Sequence, residues 1–100
     1  MTTIMFKRCG GFIGTGMRVQ IDLDQLPIHD ARYLVQLIEQ AEFFNLPENL
    51  IIKFIPDEYQ YTITIDLGVT SHTVRTNDTT MPAPLRPLVD ELSALKSVAG

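Results

Sequence analysis

The chain begins with two stretches in which apolar and polar residues alternate. In the first, which runs from Thr2 to Arg8, Ile4 and Phe6 share one face. The second runs from Met17 to Asp24 and places four apolar residues opposite four polar ones. A period of two is typical of strands with one buried face. The two stretches therefore predict a β-hairpin.

The connection between these strands, residues Cys9 to Gly16, holds four of the six glycines in the chain. A tight two-glycine turn would pair Ile4 with Met17. A wider tip, which pairs Phe6 with Met17, matches the apolar faces better. We therefore expect a hairpin with a wide, glycine-rich tip.

Two later segments carry apolar residues at helical spacing. The first opens at Pro27, a residue that fits a first helical turn. Its apolar stripe consists of Leu34, Leu37, Ile38, Ala41 and Phe44. The second helix is predicted from about Pro84 to Lys96. Its stripe consists of Leu85, Leu88, Val89, Leu92 and Leu95.

Two further strands are predicted between the helices, at Tyr59 to Asp66 and at Ser71 to Thr76. Residues 45–58 are apolar in part but show no period, and we expect an extended segment lying over the core. The order β-β-α-β-β-α predicts one α+β domain over residues 1–100, with a four-stranded, mainly antiparallel sheet and two helices on one face. The predicted core consists of Phe6, Val19, Ile21, Leu34, Leu37, Ile38, Ile63, Val74, Leu88 and Leu92.

Composition excludes several classes of protein. With 100 residues, 45% of them apolar and 20% charged, the chain fits a single globular domain. Its net charge is −4 and its eight Lys and Arg are scattered, so we expect no nucleic-acid partner. The N-terminus lacks a signal-peptide pattern and no apolar run reaches the length of a membrane span. We therefore expect a cytoplasmic protein without a membrane partner.

The titratable residues offer little chemistry. His29 and His72 lie 43 positions apart and match no metal-binding spacing, so we expect neither a metal nor a cofactor. We expect His29 to be solvated in the first helical turn. We expect His72 to be half-buried and hydrogen-bonded, with a tyrosine of the neighbouring strand as one candidate partner. Cys9 is the single cysteine, so the chain cannot form an internal disulfide. As a nucleophile, Cys9 would need a base, and the sequence does not identify one.

The hairpin tip remains, with Phe12 and Ile13 set among glycines. Glycine permits positive φ and close approach of another backbone. One interpretation is a loop with unusual dihedral angles and Phe12 folded onto the core. The other is a projecting probe that fills the cleft of a partner. The residues alone do not separate the two.

The run from Ile4 to Gly14, IMFKRCGGFIG, resembles the start of the emfourin family. These are bacterial proteinaceous inhibitors of protealysin, a thermolysin-like zinc metallopeptidase. The likeness covers nearly the whole chain in order. It continues in DQLP (24–27), AEFFNLP (41–47), PD (56–57), YQY (59–61), SHTV (71–74) and PLRPL (84–88). Cys9 departs from the family pattern, which has serine there, and Thr15-Gly16 follows the family's continuation loosely.

The resemblance implies a reversible protein inhibitor, monomeric when free, that binds a thermolysin-like metallopeptidase and is not itself an enzyme. The only metal of such a complex would be the zinc of the peptidase. The residues expected to bind it are Gly10, Gly11, Phe12, Ile13 and Gly14. Two alternatives stay open: a regulatory module that binds an unrelated partner through the hairpin or through Leu50 to Ile55, and a small enzyme that uses Cys9.

Overall fold

The computed structural model describes residues 2–10, 16–53, 55 and 57–99, with the backbone alone for residues 96–99. Its elements follow the predicted order. The strands are β1 (Thr3–Gly10), β2 (Met17–Asp22), β3 (Tyr59–Asp66) and β4 (Ser71–Asn77). The long helices are α1 (Ile28–Ala41) and α2 (Arg86–Ala99). Short 3-10 turns lie at Leu23–Gln25, Phe43–Asn45 and Ala83–Leu85.

The four strands form one antiparallel sheet in the order β2-β1-β3-β4. The predicted α+β fold is therefore confirmed, and β1 lies inside the sheet with a neighbour on each side. The hairpin register differs from the prediction, because Phe6 pairs with Val19 and not with Met17. A shift of two residues leaves every side chain on its predicted face, so the apolar pattern alone could not exclude it. The ladder between β1 and β2 ends at the pair Arg8–Met17.

The first helix ends earlier than its apolar stripe suggested. Glu42 adopts a left-handed conformation, with φ 51° and ψ 48°, and its N–H closes the last turn on Glu39 and Ile38. The chain then makes a 3-10 turn that buries Phe43 and leaves Phe44 39% exposed. The stripe prediction was therefore wrong at Phe44, because a residue after the cap no longer follows the period of the helix.

All ten predicted core residues are buried. They lie on the face of the sheet that the helices cover, and the other face is open to solvent. Between the end of α1 and β3, the chain adds Glu48–Leu50 to the outer edge of β4: Asn49 forms a parallel bridge with Arg75, and Leu50 packs against the core. The expected extended segment over the core is thus present in part, at the sheet edge. Across the described ranges, neither helix combines the length and apolarity that crossing a bilayer requires.

Candidate functional site

One of the five predicted binding residues, Gly10, lies at an end of the sheet within the described residues. Gly10 is the last residue of β1, whereas Gly11, Phe12, Ile13 and Gly14 lie outside the described residues. The same end of the sheet carries the start of β3 and the end of β4, because the three strands β1, β3 and β4 alternate in direction. The loops that flank the tip are therefore residues 51–58, before β3, and residues 78–82, after β4.

Gly10 has a backbone that other residues would strain. Its φ is +88°, and it still pairs with Tyr59 in the sheet. A Cβ atom at this position would lie 3.0 Å from the carbonyl oxygen of Glu58, which is backbone and cannot rotate away. Both the positive φ and the close approach require glycine here. Gly10 therefore sets the backbone geometry at the end of β1.

Gly10→Ala should lower the free energy of unfolding by about 1–3 kcal/mol, because alanine meets both the strained φ and the Glu58 carbonyl. Urea denaturation measures the change. Gly16→Ala is the matched control on the other stem of the hairpin, where φ is not positive and a Cβ would meet its nearest atom, the Arg8 carbonyl oxygen, at 3.4 Å. Equal midpoints for the two variants would contradict this role of Gly10.

Asp78 joins the loops beside the tip to the sheet. One carboxylate oxygen accepts the Tyr61 hydroxyl at 2.8 Å, and the other accepts the Tyr59 N–H at 3.1 Å. Arg86 at the start of α2 donates to the same carboxylate at 3.5 Å. Burial raises the pKa of Tyr61 to about 12, and the hydrogen bond to Asp78 acts in the same direction. Tyr61 therefore stays a neutral donor at physiological pH and holds Asp78 in place.

Arg8 closes the base of the hairpin on the helix-covered face. Its guanidinium lies 4.5 Å from the ring centroid of Tyr59, a cation–π contact. Its Nε is buried and has no hydrogen-bond partner among the described residues. Tyr59 in turn packs against Tyr61, with ring centroids 6.2 Å apart. These contacts fix the last strand pair before the tip.

The two flanking loops are also tied to each other and to β4. Asn77 is 1% exposed; its amide donates to the Lys53 carbonyl at 3.1 Å, and its Oδ1 accepts from the Thr80 N–H at 3.0 Å. Glu58 accepts hydrogen bonds from both the N–H and the hydroxyl of Thr79. The described parts of the two flanking loops and the ends of β3 and β4 are therefore joined by one set of hydrogen bonds.

The sequence prediction missed this network. Asn77 and Asp78 belong to a run of short polar residues, NDTT (77–80), that lies between the predicted fourth strand and the second helix and was assigned to neither. Side chains of this kind often bond to nearby backbone groups and so shape turns, which was the available signal. Nothing in the run showed that Asp78 would also reach Tyr61, since that contact depends on the pairing of β3 with β4.

Cys9 and the two histidines lie apart in the fold. Cys9 is half-buried on the open face and pairs with Gln60. His72 of β4 faces the helix-covered side and pairs with Ile65 of β3. Ile65 lies five residues along β3 from Gln60, which is about 16 Å at strand spacing, so His72 is far from Cys9. His29 is exposed in the first turn of α1, as expected. No cluster of three or more metal-ligating side chains occurs in the described part of the chain.

The half-buried, hydrogen-bonded state predicted for His72 is confirmed, but its partner is not a tyrosine. Its Nε2 lies 2.7 Å from the Leu46 carbonyl oxygen, and its ring packs edge-on against Phe43. The partner differs because the 3-10 turn after α1 brings Leu46 over β4. His72 thus has a structural position at the end of the sheet away from the tip.

A comparison with models of protein families matches most of the chain. The family model Emfourin matches residues 6–93, a range that begins within β1, includes β2, α1, β3 and β4, and ends within α2. Comparisons with curated proteins and with solved structures gave no match. Members of the matched family are metallopeptidase inhibitors, and membership implies a peptidase partner. The chain therefore belongs to the emfourin family.

Proposed function

We propose that this protein reversibly inhibits a zinc metallopeptidase of the thermolysin and protealysin type by placing the hairpin tip, residues 10–14, in the active-site cleft. The family match over residues 6–93 is the observation that carries the proposal. The inhibitor acts as a monomer in the cytoplasm of the bacterium that makes it. The zinc of the complex belongs to the peptidase.

The surroundings of the tip support this proposal on physical grounds. A glycine-rich loop loses conformational entropy when it binds, so tight inhibition needs a base that is already ordered. Here β1 has a partner strand on each side up to Arg8, and Gly10 remains paired with Tyr59. Asp78 and Arg8 fix the neighbouring side chains. The stem is therefore ordered before the partner arrives.

Phe12 and Ile13 supply the anchor. A thermolysin-like cleft favours a large apolar side chain just after the scissile bond, and either residue has the size for that pocket. Most of the energy of a protein interface comes from a few such buried anchors. The adjacent glycines permit close approach of the two backbones.

A second contact through residues 50–55 is favoured by one observation. Ile52 is 90% exposed, and the Lys53 carbonyl bonds to Asn77 at the tip end of β4. The exposed isoleucine therefore lies at the same end of the sheet as the hairpin tip. An interface centred on the tip would cover it as well.

Titration of the purified domain against a thermolysin-like peptidase from the same genome tests the proposed function. Because the inhibitor occupies the cleft, activity should fall to zero near one equivalent, and dilution should restore it. Added zinc should not relieve inhibition, because the protein does not remove the metal. A serine peptidase serves as the control and should keep full activity.

Full peptidase activity at a large excess of the domain would contradict the proposal. It would favour the alternative of a regulatory module with an unrelated partner. Loss of the inhibitor by cleavage during the assay would also contradict it, since a cleaved protein is a substrate.

A further inference from the structure

The open face of the sheet carries a row of positive charge next to the hairpin tip. Lys7 of β1 pairs with Arg18 of β2 on one side and with Thr62 of β3 on the other, and Thr62 pairs with Arg75 of β4. The row therefore crosses all four strands in one line. The side chains of all three cations are exposed. We call Lys7, Arg18 and Arg75 the cationic row.

The cationic row does not help the protein to fold. Lys7 and Arg18 are directly opposite each other on neighbouring strands, and like charges in that position destabilise a sheet. The ion pair found among the described residues joins Arg86 to Asp78, elsewhere in the fold. Three of the eight basic residues of an acidic chain thus lie in one row, and two of them, Lys7 and Arg18, repel each other directly. Their position calls for a reason outside the folded monomer.

The acidic residues of this face do not neutralise the row. Asp22 and Asp66 both flank Thr3, four positions along β1 from Lys7, or about 13 Å away at strand spacing. That distance exceeds the Debye length of about 8 Å at physiological ionic strength. Glu48 lies beside the end of the row, where its carbonyl oxygen accepts the Arg75 N–H at 2.7 Å, but its carboxylate forms no ion pair with Arg75 within the described residues.

The face is therefore polarised along the strands. Within the strands, the cations are nearer to the tip, and the carboxylates of Asp22 and Asp66 lie at the far end. The Glu58 carboxylate, on the loop before β3, is bonded to Thr79. Between the cations and the two aspartates is an uncharged row with Gln20, the 44% exposed Met5, and the hydrogen-bonded hydroxyls of Thr64 and Thr73. A polarised face of this kind favours one orientation of a charged partner over the reverse.

We infer that the cationic row is a second contact surface for the peptidase and binds an acidic patch on the wall of its active-site cleft. This inference rests on the proposed function. The pair Lys7–Arg18 is the neighbour of Arg8–Met17, the last pair before the tip, so it lies about 3.3 Å below the end of the hairpin ladder. A tip that enters a cleft brings this part of the sheet against the rim. Opposite charge there speeds association and fixes the approach of the tip.

Charge reversal tests the inference. Lys7→Glu, Arg18→Glu and Arg75→Glu should each lower the association rate constant with the inhibited peptidase about five- to tenfold at low salt. The wild-type rate should fall as sodium chloride rises from about 50 to about 300 mM, and a triple variant should lose most of this dependence. Arg32→Glu is the matched control, because Arg32 is an exposed cation on α1, which packs on the covered side of the sheet.

Melting temperatures separate binding from folding. Arg18→Glu converts a repulsive pair into an attractive one, so it should melt no lower than the wild type while binding more slowly. Association rates within twofold of the wild type for all three variants, or an equal loss in Arg32→Glu, would overturn the inference while inhibition by the wild type still stood. A wild type without any inhibition would instead overturn the proposed function on which the inference rests.

Discussion

Phe12→Ala should weaken inhibition of the target peptidase by about thirtyfold or more, which corresponds to about 2 kcal/mol of binding free energy. The physical reason is that an aromatic anchor contributes most of its energy in a desolvated pocket, and alanine leaves that pocket empty. The stability of the free inhibitor should change little, because a residue that enters a partner is not part of its own core. Inhibition constants and melting temperatures measured on the same preparation test both statements.

Val69→Ala is the control for this variant. Val69 is 97% exposed in the turn between β3 and β4, at the end of the sheet away from the tip. Its truncation removes a similar apolar side chain and should leave inhibition unchanged. If Phe12→Ala lowered the melting temperature and inhibition together, Phe12 would be a core residue, and the tip would not be the anchor. If neither changed, the exposed Ile52 would become the first candidate.

Phe6→Ala should lower the free energy of unfolding by about 3–5 kcal/mol, a large share of the stability of a domain of this size. Phe6 is fully buried in the interior strand β1. It pairs with Val19 and Ile63, and its ring stacks on Tyr61 with centroids 6.1 Å apart. Its loss leaves a cavity between sheet and helices that neither neighbouring strand can close. Urea denaturation monitored by circular dichroism gives the value.

Met5→Ala provides the comparison on the same strand. Met5 is 44% exposed on the open face, so its truncation should cost less than about 1 kcal/mol. A larger effect at Met5 than at Phe6 would mean that the assigned phase of β1 is wrong and that the open face is buried. Similar small effects at both positions would contradict the single core described above.

The alternation of apolar residues was enough to predict the first three strands and the face that each one buries. The fourth strand, whose single apolar residue is Val74, was predicted from the turn that precedes it. Alternation could not predict the hairpin register, because pairings that differ by two residues bury the same side chains. The apolar pattern also does not show the constraint at Gly10, where φ is positive and an added Cβ atom would lie 3.0 Å from the carbonyl oxygen of Glu58, 48 positions away. The helix stripe was reliable up to Ala41 and failed at Phe44, where a left-handed residue intervenes.

The sequence proposed a location for the candidate site but not the contacts around it. Glycines next to Phe12 and Ile13 indicated a loop tip, and the family resemblance implied that this tip binds the partner. Asp78 and Arg8, which contact the strand ends next to the tip, belong to no sequence motif. Their contacts form only when β1, β3 and β4 assemble. The cationic row was hidden for the same reason, since Lys7, Arg18 and Arg75 are far apart along the chain and become neighbours through strand pairing.

The position of β1 between β2 and β3 has a consequence for how the chain folds. In its ladder with β3, the paired residues are separated by 49 positions at Gly10–Tyr59 and by 63 positions at Thr3–Asp66. Closing a loop of this length costs entropy before any contact is gained, so such pairing slows folding. During synthesis, the N-terminal hairpin leaves the ribosome well before β3 has been made. At that stage β1 has only β2 as a partner strand. The stem of the hairpin is therefore completed late, and a nascent chain gains the complete sheet only after its second half has been made.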